Sequence, residues 1–250
     1  MDGAPIRRLN DRAGLLRRPG NHVHDERLDA RLPAELHRDG PTLVFPSIHR
    51  SERNVRCLTV HPLGNPGPTA EIGGRPRTFA PSDPRRMADA LRRLHEGRER
   101  SGVPGTYEAT HHGPELGLPA FFVEVGYGDA DGPWPEAVRL LADAIPAIES
   151  DPSDRVALAV GGGHYAPHFT DLALKRRWAF GHLLSRHALA ELDAATARAA
   201  GAAVPSAEGI VFARAEDARL PFWDGLGPRL RDSEAPARPA TSGARSASGT

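Results

Sequence analysis

The strongest constraint on the fold of this chain is Val156–Val160, a run of apolar residues that is followed at once by three glycines. No position in this run is polar, so a strand made from it must be covered on both faces. Similar short runs, partly β-branched, stand at Pro41–Ile48, Arg56–His61 and Ala120–Gly126. We therefore predict a sheet with a doubly covered strand at its centre.

Segments with helical spacing lie between these runs. Apolar residues recur three or four positions apart in Pro84–Glu99, and Pro135 opens a second helix that extends to Ile148. We further predict a strand at Gly105–Thr110, a mostly helical Phe180–Ala200 and a last strand at Gly209–Ala213. Thr170 or Asp171 would begin the helix after the glycine run. Strands that alternate with helices predict a layered α/β fold.

The two ends of the chain differ in composition from its middle. Residues 1–40 are rich in Arg, Asp, Pro and His without a long apolar run, which predicts weak order or short helices. Residues 231–250 carry almost no large apolar side chains and cannot offset the entropy of ordering, so a disordered tail is expected there. We therefore expect residues 41–230 to form a single α/β domain.

Charge and cysteine content narrow the function classes. Lys+Arg and Asp+Glu both number 32, and this balance gives no sign of the broad basic surface that marks many nucleic-acid binders, although a local basic patch stays possible. The single Cys57 excludes an internal disulfide framework and a cysteine-rich zinc site. The chain has no apolar run of about 18 residues and no secretory signal pattern, so we expect a cytoplasmic monomer.

Histidines concentrate at the ends of the predicted strands and helices. Those in question are His49, His61, His111, His112, His164, His168 and His182. Ligands bind at strand ends in open α/β sheets. Histidine suits such a place because it titrates near neutral pH and its neutral ring binds metals.

The pair His111 and His112 is followed by Gly113 and Pro114. Adjacent residues on a strand point to opposite faces, but a chain that turns at Gly-Pro can direct both rings into one pocket. The alternative is that one of the two is a structural histidine bonded to a backbone carbonyl. The sequence alone leaves both interpretations open.

The glycine run Gly161–Gly163 leads directly into His164 and Tyr165. Glycines allow the backbone to approach a ligand and its amides to face an anion, although a flexible turn is their commoner meaning. The pattern is not a phosphate-binding P-loop, because GK[ST] is absent. Two carboxylates, Glu124 and Glu108, could orient an imidazole at this end of the sheet.

Several ordered segments together resemble one family. The segments LVFPSIHRSERNVRCLTVHPLGN, EATHHGP, PAFFVEVG, AVGGGHYAPHFT and GHLL occur in its order and spacing. From Thr42 to about Leu189 the chain resembles the archaeal and plant type of D-aminoacyl-tRNA deacylase. The resemblance implies a three-layer α/β/α fold with a mixed sheet, like that of nucleoside phosphorylases and peptidyl-tRNA hydrolases. It also implies hydrolysis of the ester that joins a D-amino acid to tRNA, and an association with zinc.

Carried over position by position, the resemblance marks signature positions in this chain, and we hypothesise roles for them from the chemistry of ester hydrolysis. Catalysis would fall to His111, His112, His164 and Glu124, and the three histidines would also be the zinc ligands. Substrate binding would fall to His49, Arg50, His61, Asn65, Thr110, Gly161, Gly162, Gly163, Tyr165, Thr170 and His182. Further signature positions fall on Ser51, Glu52, Gly64, Gly113, Pro114, Pro167 and Gly181.

The chain also departs from the family pattern. Residues 1–40 show neither the first strand nor the Asn-Ile-containing helix of the family, which predicts a sheet that lacks one member. Tyr127–Asp129 replaces the residues usual after the Glu124 strand, and His168 stands where an arginine is common. Two other functions therefore stay open, a metal-dependent hydrolase of a small ester or amide and an inactive relative that binds tRNA.

Overall fold

The computed structural model describes residues 6–17, 20–32, 40–50, 55–128, 132 and 134–238. Its strands are β1 (Ile6–Arg8), β2 (Gly14–Leu16), β3 (Leu43–Arg50), β4 (Cys57–Pro62), β5 (Gly64–Asn65), β6 (Thr78–Phe79), β7 (Gly105–Tyr107), β8 (Ala120–Tyr127), β9 (Arg155–Val160), β10 (Trp178–Leu184), β11 (Ile210–Phe212) and β12 (Arg229–Leu230). Its α-helices are α1 (Pro84–Glu96), α2 (Arg98–Ser101), α3 (Pro135–Ala144), α4 (Pro167–Lys175), α5 (Arg186–Leu189) and α6 (Ala194–Ala202). The alternation confirms the predicted α/β class.

Two larger sheets form the centre of the described structure. One has the order β3-β8-β4-β7 and is mixed, because β4 runs antiparallel to β8 while the other pairs are parallel. The other has the order β10-β9-β11-β12 and is parallel throughout. The sheets approach each other after β7, where the Thr110 amide donates to the Leu183 carbonyl over 2.9 Å.

Burial explains why the central elements form where they do. Every residue of Val156–Val160 is at most 1% exposed, as its wholly apolar composition requires. Helix α1 buries Met87, Leu91 and Leu94 on one face, and Asp83 caps its start by accepting the Arg86 amide hydrogen. Within the described residues, no helix is long and apolar enough to cross a membrane.

The region after α4 differs from the sequence prediction. Phe180–Ala200 was expected to be mostly helical, but Phe180 to Leu184 belong to β10, all of whose residues are buried. Helices occupy only α5 and α6. The prediction was wrong here because a doubly buried strand has no polar alternation and resembles a buried helix. Helix α4 likewise begins at Pro167 and not at Thr170 or Asp171.

The described part of the N-terminal segment is ordered. Strands β1 and β2 pair with each other, and two short 3-10 helices follow at His22–His24 and Asp29–Arg31. Val23, Leu28 and Leu32 are buried together with Phe122 of β8. The described part of this segment thus contains two short helices and packs against β8. Residues 1–5, 18–19 and 33–39 lie outside the described part.

The predicted disordered tail is ordered over its first residues. A 3-10 helix spans Asp232–Glu234, and Ala235 is fully buried. Trp178 donates its indole N–H to the Asp232 carbonyl over 2.9 Å, and the Arg177 amide donates to Pro236. Residues 231–238 are held mainly through their backbone carbonyls. Amino-acid composition describes side chains, so it did not predict that these residues are ordered. Residues 239–250 lie outside the described part.

Candidate active site

Strand β4 supplies the innermost histidine of the site. Its register against β8 sets His61 opposite Phe122 and Thr59 opposite Glu124. The His61 ring stacks on Phe122 with 5.1 Å between ring centroids. His61 Nε2 lies 3.5 Å from Glu124 Oε2, and both side chains are buried. An imidazole of β4 and a carboxylate of β8 therefore lie next to each other on neighbouring inner strands of the sheet.

His111 and His112 join His61 because the chain has left the β7 strand before it reaches them. The ring centroids lie 4.5 Å apart for His61 and His111, and 4.8 Å apart for His61 and His112. Those of His111 and His112 are separated by 4.4 Å. The rings of His111 and His112, although adjacent in the sequence, therefore both lie against the ring of His61. Together with His164, these residues are called the histidine cluster below.

Backbone carbonyls orient the three inner rings of the cluster. Nδ1 lies 3.1 Å from the Pro62 oxygen in His61, 2.8 Å from the Ala109 oxygen in His111 and 2.8 Å from the Gly113 oxygen in His112. A carbonyl oxygen only accepts, so each Nδ1 donates and each neutral ring keeps a lone pair on Nε2. The structural and the functional interpretations of the His111–His112 pair are therefore compatible.

His164 is the member of the cluster most open to solvent. Its ring centroid lies 4.7 Å from that of His111, and its side chain is 42% exposed. Glu108 is fully buried, with Oε1 3.7 Å from His164 Nε2. The Glu108 amide donates to the Val60 carbonyl, and its backbone forms a bridge with Tyr165. The glutamate is therefore fixed in place by its backbone.

Burial and neighbouring charges set the protonation of the site. Desolvation, reinforced by the other three imidazoles, lowers the pKa of His111 well below its ordinary value, so this ring is neutral. Burial alone would lower the pKa of His61, but the Glu124 carboxylate outweighs it and the pKa is raised. Burial also raises the pKa of Cys57 to about 11, so its thiol is not a ready nucleophile.

Donor atoms of the site fall into overlapping groups whose members lie within 4.8 Å of one another. Among the described residues the groups are His61–His111–His112, Glu108–His111–His164 and His61–Glu108–Glu124. The predicted zinc ligands His111, His112 and His164 do not form one group. His111 and His112 are grouped with His61, whereas His164 is grouped with Glu108 and His111. Imidazole nitrogen and carboxylate oxygen form the donor set that zinc prefers. Rings held by carbonyls through Nδ1 also fit a metal on Nε2.

Other predicted substrate-binding residues make internal contacts. Asn65 is 4% exposed and donates its side-chain amide to the Gly73 carbonyl. His182 lies between the Ala80 carbonyl, 2.9 Å from Nε2, and the Thr110 hydroxyl, 3.1 Å from Nδ1. Thr170 accepts the Tyr107 amide hydrogen over 2.9 Å. In this structure these side chains support the walls of the site.

The glycine run is used in part by the fold itself. Gly161 has φ +102° and donates its amide to the Leu184 carbonyl, so that amide does not face an anion. A Cβ there would lie 2.5 Å from Asp217 Oδ2, which explains the need for glycine. The hydrogen bond of Gly161 removes its amide from the predicted anion site. For Gly162 and Gly163, anion binding stays a prediction. Tyr165 lies at the edge of the cluster, with its ring 5.4 Å from that of His164.

Two predicted residues are described only by their backbone. His49 pairs with Gly126 and Arg50 with Tyr127 along β3. Their side chains, with Ser51 and Glu52, lie outside the described part. The sequence analysis did not predict that the Phe122 ring stacks against His61. Strand alternation could have indicated it, because Phe122 and Glu124 are two residues apart and lie on the same face of β8.

The fold and the site define an α/β protein with a buried histidine–carboxylate centre against the two inner strands of a mixed sheet. Residues 37–219 match the family model described as D-aminoacyl-tRNA deacylase, and the chain belongs to this family. A crystal structure of a conserved protein of unknown function, AF0625, has a TM-score of 0.74 and 31% identity, covering 82% of this chain and 72% of that one.

Curated relatives named D-aminoacyl-tRNA deacylase agree with this placement. The Thermoplasma acidophilum protein is 41% identical over 58% of this chain, and the Pyrococcus abyssi protein is 35% identical over 75% of it. The Methanosphaerula palustris protein is 42% identical over 66% of this chain. The chain spans 56%, 70% and 36% of the length of these three proteins, respectively.

Proposed function

We propose that this chain hydrolyses the ester bond of D-aminoacyl-tRNA, releasing the free D-amino acid and tRNA. Such an activity removes D-residues before translation uses them. The observation that carries the proposal is the half-exposed His164 with the buried Glu108 behind it, next to three oriented imidazoles. Family membership over residues 37–219 supports the choice of substrate. The catalytic domain is residues 41–230, and the enzyme acts as a cytoplasmic monomer.

Ester hydrolysis needs a base that activates water and a group that stabilises the oxyanion. We assign the base to His164, because it is the cluster's solvent-facing imidazole. The negative charge of Glu108, 3.7 Å from His164 Nε2, favours the tautomer that carries its proton on Nε2, so that Nδ1 accepts a proton from water. The water oxygen bonds to the ester carbonyl carbon, and the proton on His164 then passes to the ribose oxygen as the bond between that oxygen and the carbonyl carbon breaks. We assign the binding of the oxyanion or of the terminal phosphate to the amides of Gly162 and Gly163.

We further propose that the inner histidines hold zinc. His61, His111 and His112 would be the ligands, with Glu108 and Glu124 as neighbouring carboxylates. Bound zinc would polarise the ester carbonyl and stabilise negative charge. Two features support this fit: the hydrogen bond from His111 Nδ1 to the Ala109 carbonyl, which leaves the proton off Nε2 in the neutral ring, and the lowered pKa that keeps His111 neutral.

The decisive test is deacylation of D-tyrosyl-tRNA and L-tyrosyl-tRNA by the purified chain. We expect turnover of the D-form only, and a loss of about 100-fold or more in His164→Ala. His187→Ala, at an exposed histidine of α5, is the matched control and should keep full activity.

Other outcomes would contradict the proposal. Hydrolysis of a small ester such as p-nitrophenyl acetate without turnover of tRNA would favour the metal-dependent small-molecule hydrolase. No turnover with salt-sensitive tRNA binding would favour an inactive relative.

A further inference from the structure

A small pocket lies beside the histidine cluster, and the chemistry assigned above does not use it. It is lined by Val55, Cys57, Val103, Pro104, Thr106 and Tyr165, with Arg56 completing the wall. Its volume is about 210 Å³. This cavity is called the side pocket below.

The side pocket adjoins the proposed reaction centre through Tyr165, whose ring lies 5.4 Å from that of His164. Tyr165 follows His164 directly, and its backbone forms a bridge with Glu108. Thr106 stands two residues before Glu108, a separation of about 7 Å along an extended chain. On the other side, Cys57 Sγ lies 3.8 Å from the Tyr165 hydroxyl. A group attached to an ester held at His164 would therefore reach the pocket.

The chemistry of the walls favours a neutral, apolar occupant. Val55, Val103 and Pro104 present only hydrocarbon side chains. Cys57 is an uncharged thiol because burial raises its pKa to about 11. The guanidinium of Arg56 lies over the ring of Trp134, 5.0 Å from its centroid, and Trp134 does not line the pocket.

Size and access select one part of a D-aminoacyl-tRNA. Pockets that hold whole drug-sized ligands measure roughly 300–1,000 Å³, so the side pocket is small for a nucleoside but suits a single side chain. Val55 is 50% exposed and Tyr165 37% exposed, so the pocket has an open mouth. We propose that the side pocket receives the side chain of the D-aminoacyl group and favours apolar and aromatic residues. This inference rests on the proposed function.

Filling the pocket at its mouth tests the inference. Val55→Trp is suitable because Val55 lines the pocket and is 50% exposed, so a larger side chain there can be accommodated at the mouth. Deacylation of D-tyrosyl-tRNA and of D-alanyl-tRNA would be compared by kcat/KM. The matched control is Val138→Trp, the same change at a residue of α3 that is 47% exposed and does not line the pocket. Val103→Phe fills the pocket from its other wall as a second variant.

We expect Val55→Trp to lower kcat/KM for D-tyrosyl-tRNA by about tenfold or more, within the range by which hydrophobic pockets discriminate. D-Alanyl-tRNA, whose methyl group needs little of the pocket, should change less than about twofold. Equal losses for both substrates, or no loss in either pocket variant, would overturn the inference alone. A wild-type chain that hydrolyses neither substrate would overturn the proposed function and this inference with it.

Discussion

Glu108 lies directly behind His164, with a fully buried carboxylate 3.7 Å from an imidazole that is 42% exposed. The carboxylate of Glu108 therefore has no contact with solvent, whereas the His164 ring does. Such carboxylates orient an imidazole and fix its tautomer. The pair has the arrangement expected of a base and its positioning residue.

Replacing the carboxylate should impair catalysis without removing substrate binding. We expect Glu108→Gln to lower kcat for D-aminoacyl-tRNA by about 10- to 100-fold, because an amide holds the His164 proton less firmly than a carboxylate does. KM should stay within about twofold, since Glu108 is buried beneath the ring. Steady-state kinetics measure the split. A rise in KM at unchanged kcat would place Glu108 in substrate binding instead.

The zinc content of histidine variants should distinguish His61, His111 and His112 from histidines that do not bind metal. Protein purified without a histidine tag should carry zinc, and His61→Ala should lose most of it, because one of three nitrogen ligands is removed. His182→Ala is the matched control: this ring is equally buried but takes part in none of the donor groups among the described residues. Metal analysis by mass spectrometry measures both. Full activity of a metal-free wild-type chain would remove zinc from the mechanism.

Buried His182 should make the fold sensitive to acid. Desolvation lowers the pKa of this histidine to about 4, whereas in the unfolded chain it titrates near its ordinary 6.5. Its contribution is therefore fully present above pH 6.5 and is lost as the pH falls toward 4, by about 3 kcal/mol. Urea unfolding across this window measures the slope. His182→Gln keeps a donor for the Ala80 carbonyl but cannot titrate, so its pH dependence should be flatter.

Local pattern in the sequence predicted much of the fold, and it predicted that His111, His112 and His164 lie close together, as they do in the structure. The apolar run before the glycines and the helical spacing of α1 are local signals, and both elements formed as expected. Strand β10 was missed because a strand buried on both faces carries no alternation to distinguish it from a helix. The pairing of His61 with Glu124 depends on the register of β4 against β8. That register pairs segments that are far apart in the sequence, so no local sequence pattern predicts it.

A buried ion pair should matter more to stability than any surface pair. Arg92 contacts Asp154 with both side chains almost fully buried, and it also donates to the carbonyls of Ala173 and Trp178. Asp154→Asn leaves the arginine charge without its carboxylate and should cost about 3 kcal/mol or more. Asp143→Asn, in an exposed pair with Arg100, should cost less than about 1 kcal/mol. Chemical denaturation compares the two, and similar costs would contradict the argument.

Two glycines should respond to alanine in opposite directions. A Cβ on Gly181 of β10 would meet both Val204 methyl groups at 2.4 and 2.6 Å and the Ser82 hydroxyl at 2.7 Å. Gly181→Ala should therefore destabilise the fold by about 1–3 kcal/mol through overpacking. Gly201 lies in α6, where the nearest atom to a new Cβ is 4.0 Å away in Leu226. Gly201→Ala should stabilise the helix by about 0.5–1 kcal/mol, because alanine loses less backbone entropy than glycine on folding. Thermal melting of both variants measures the contrast, and a stabilising Gly181→Ala would show that β10 and Val204 can move apart.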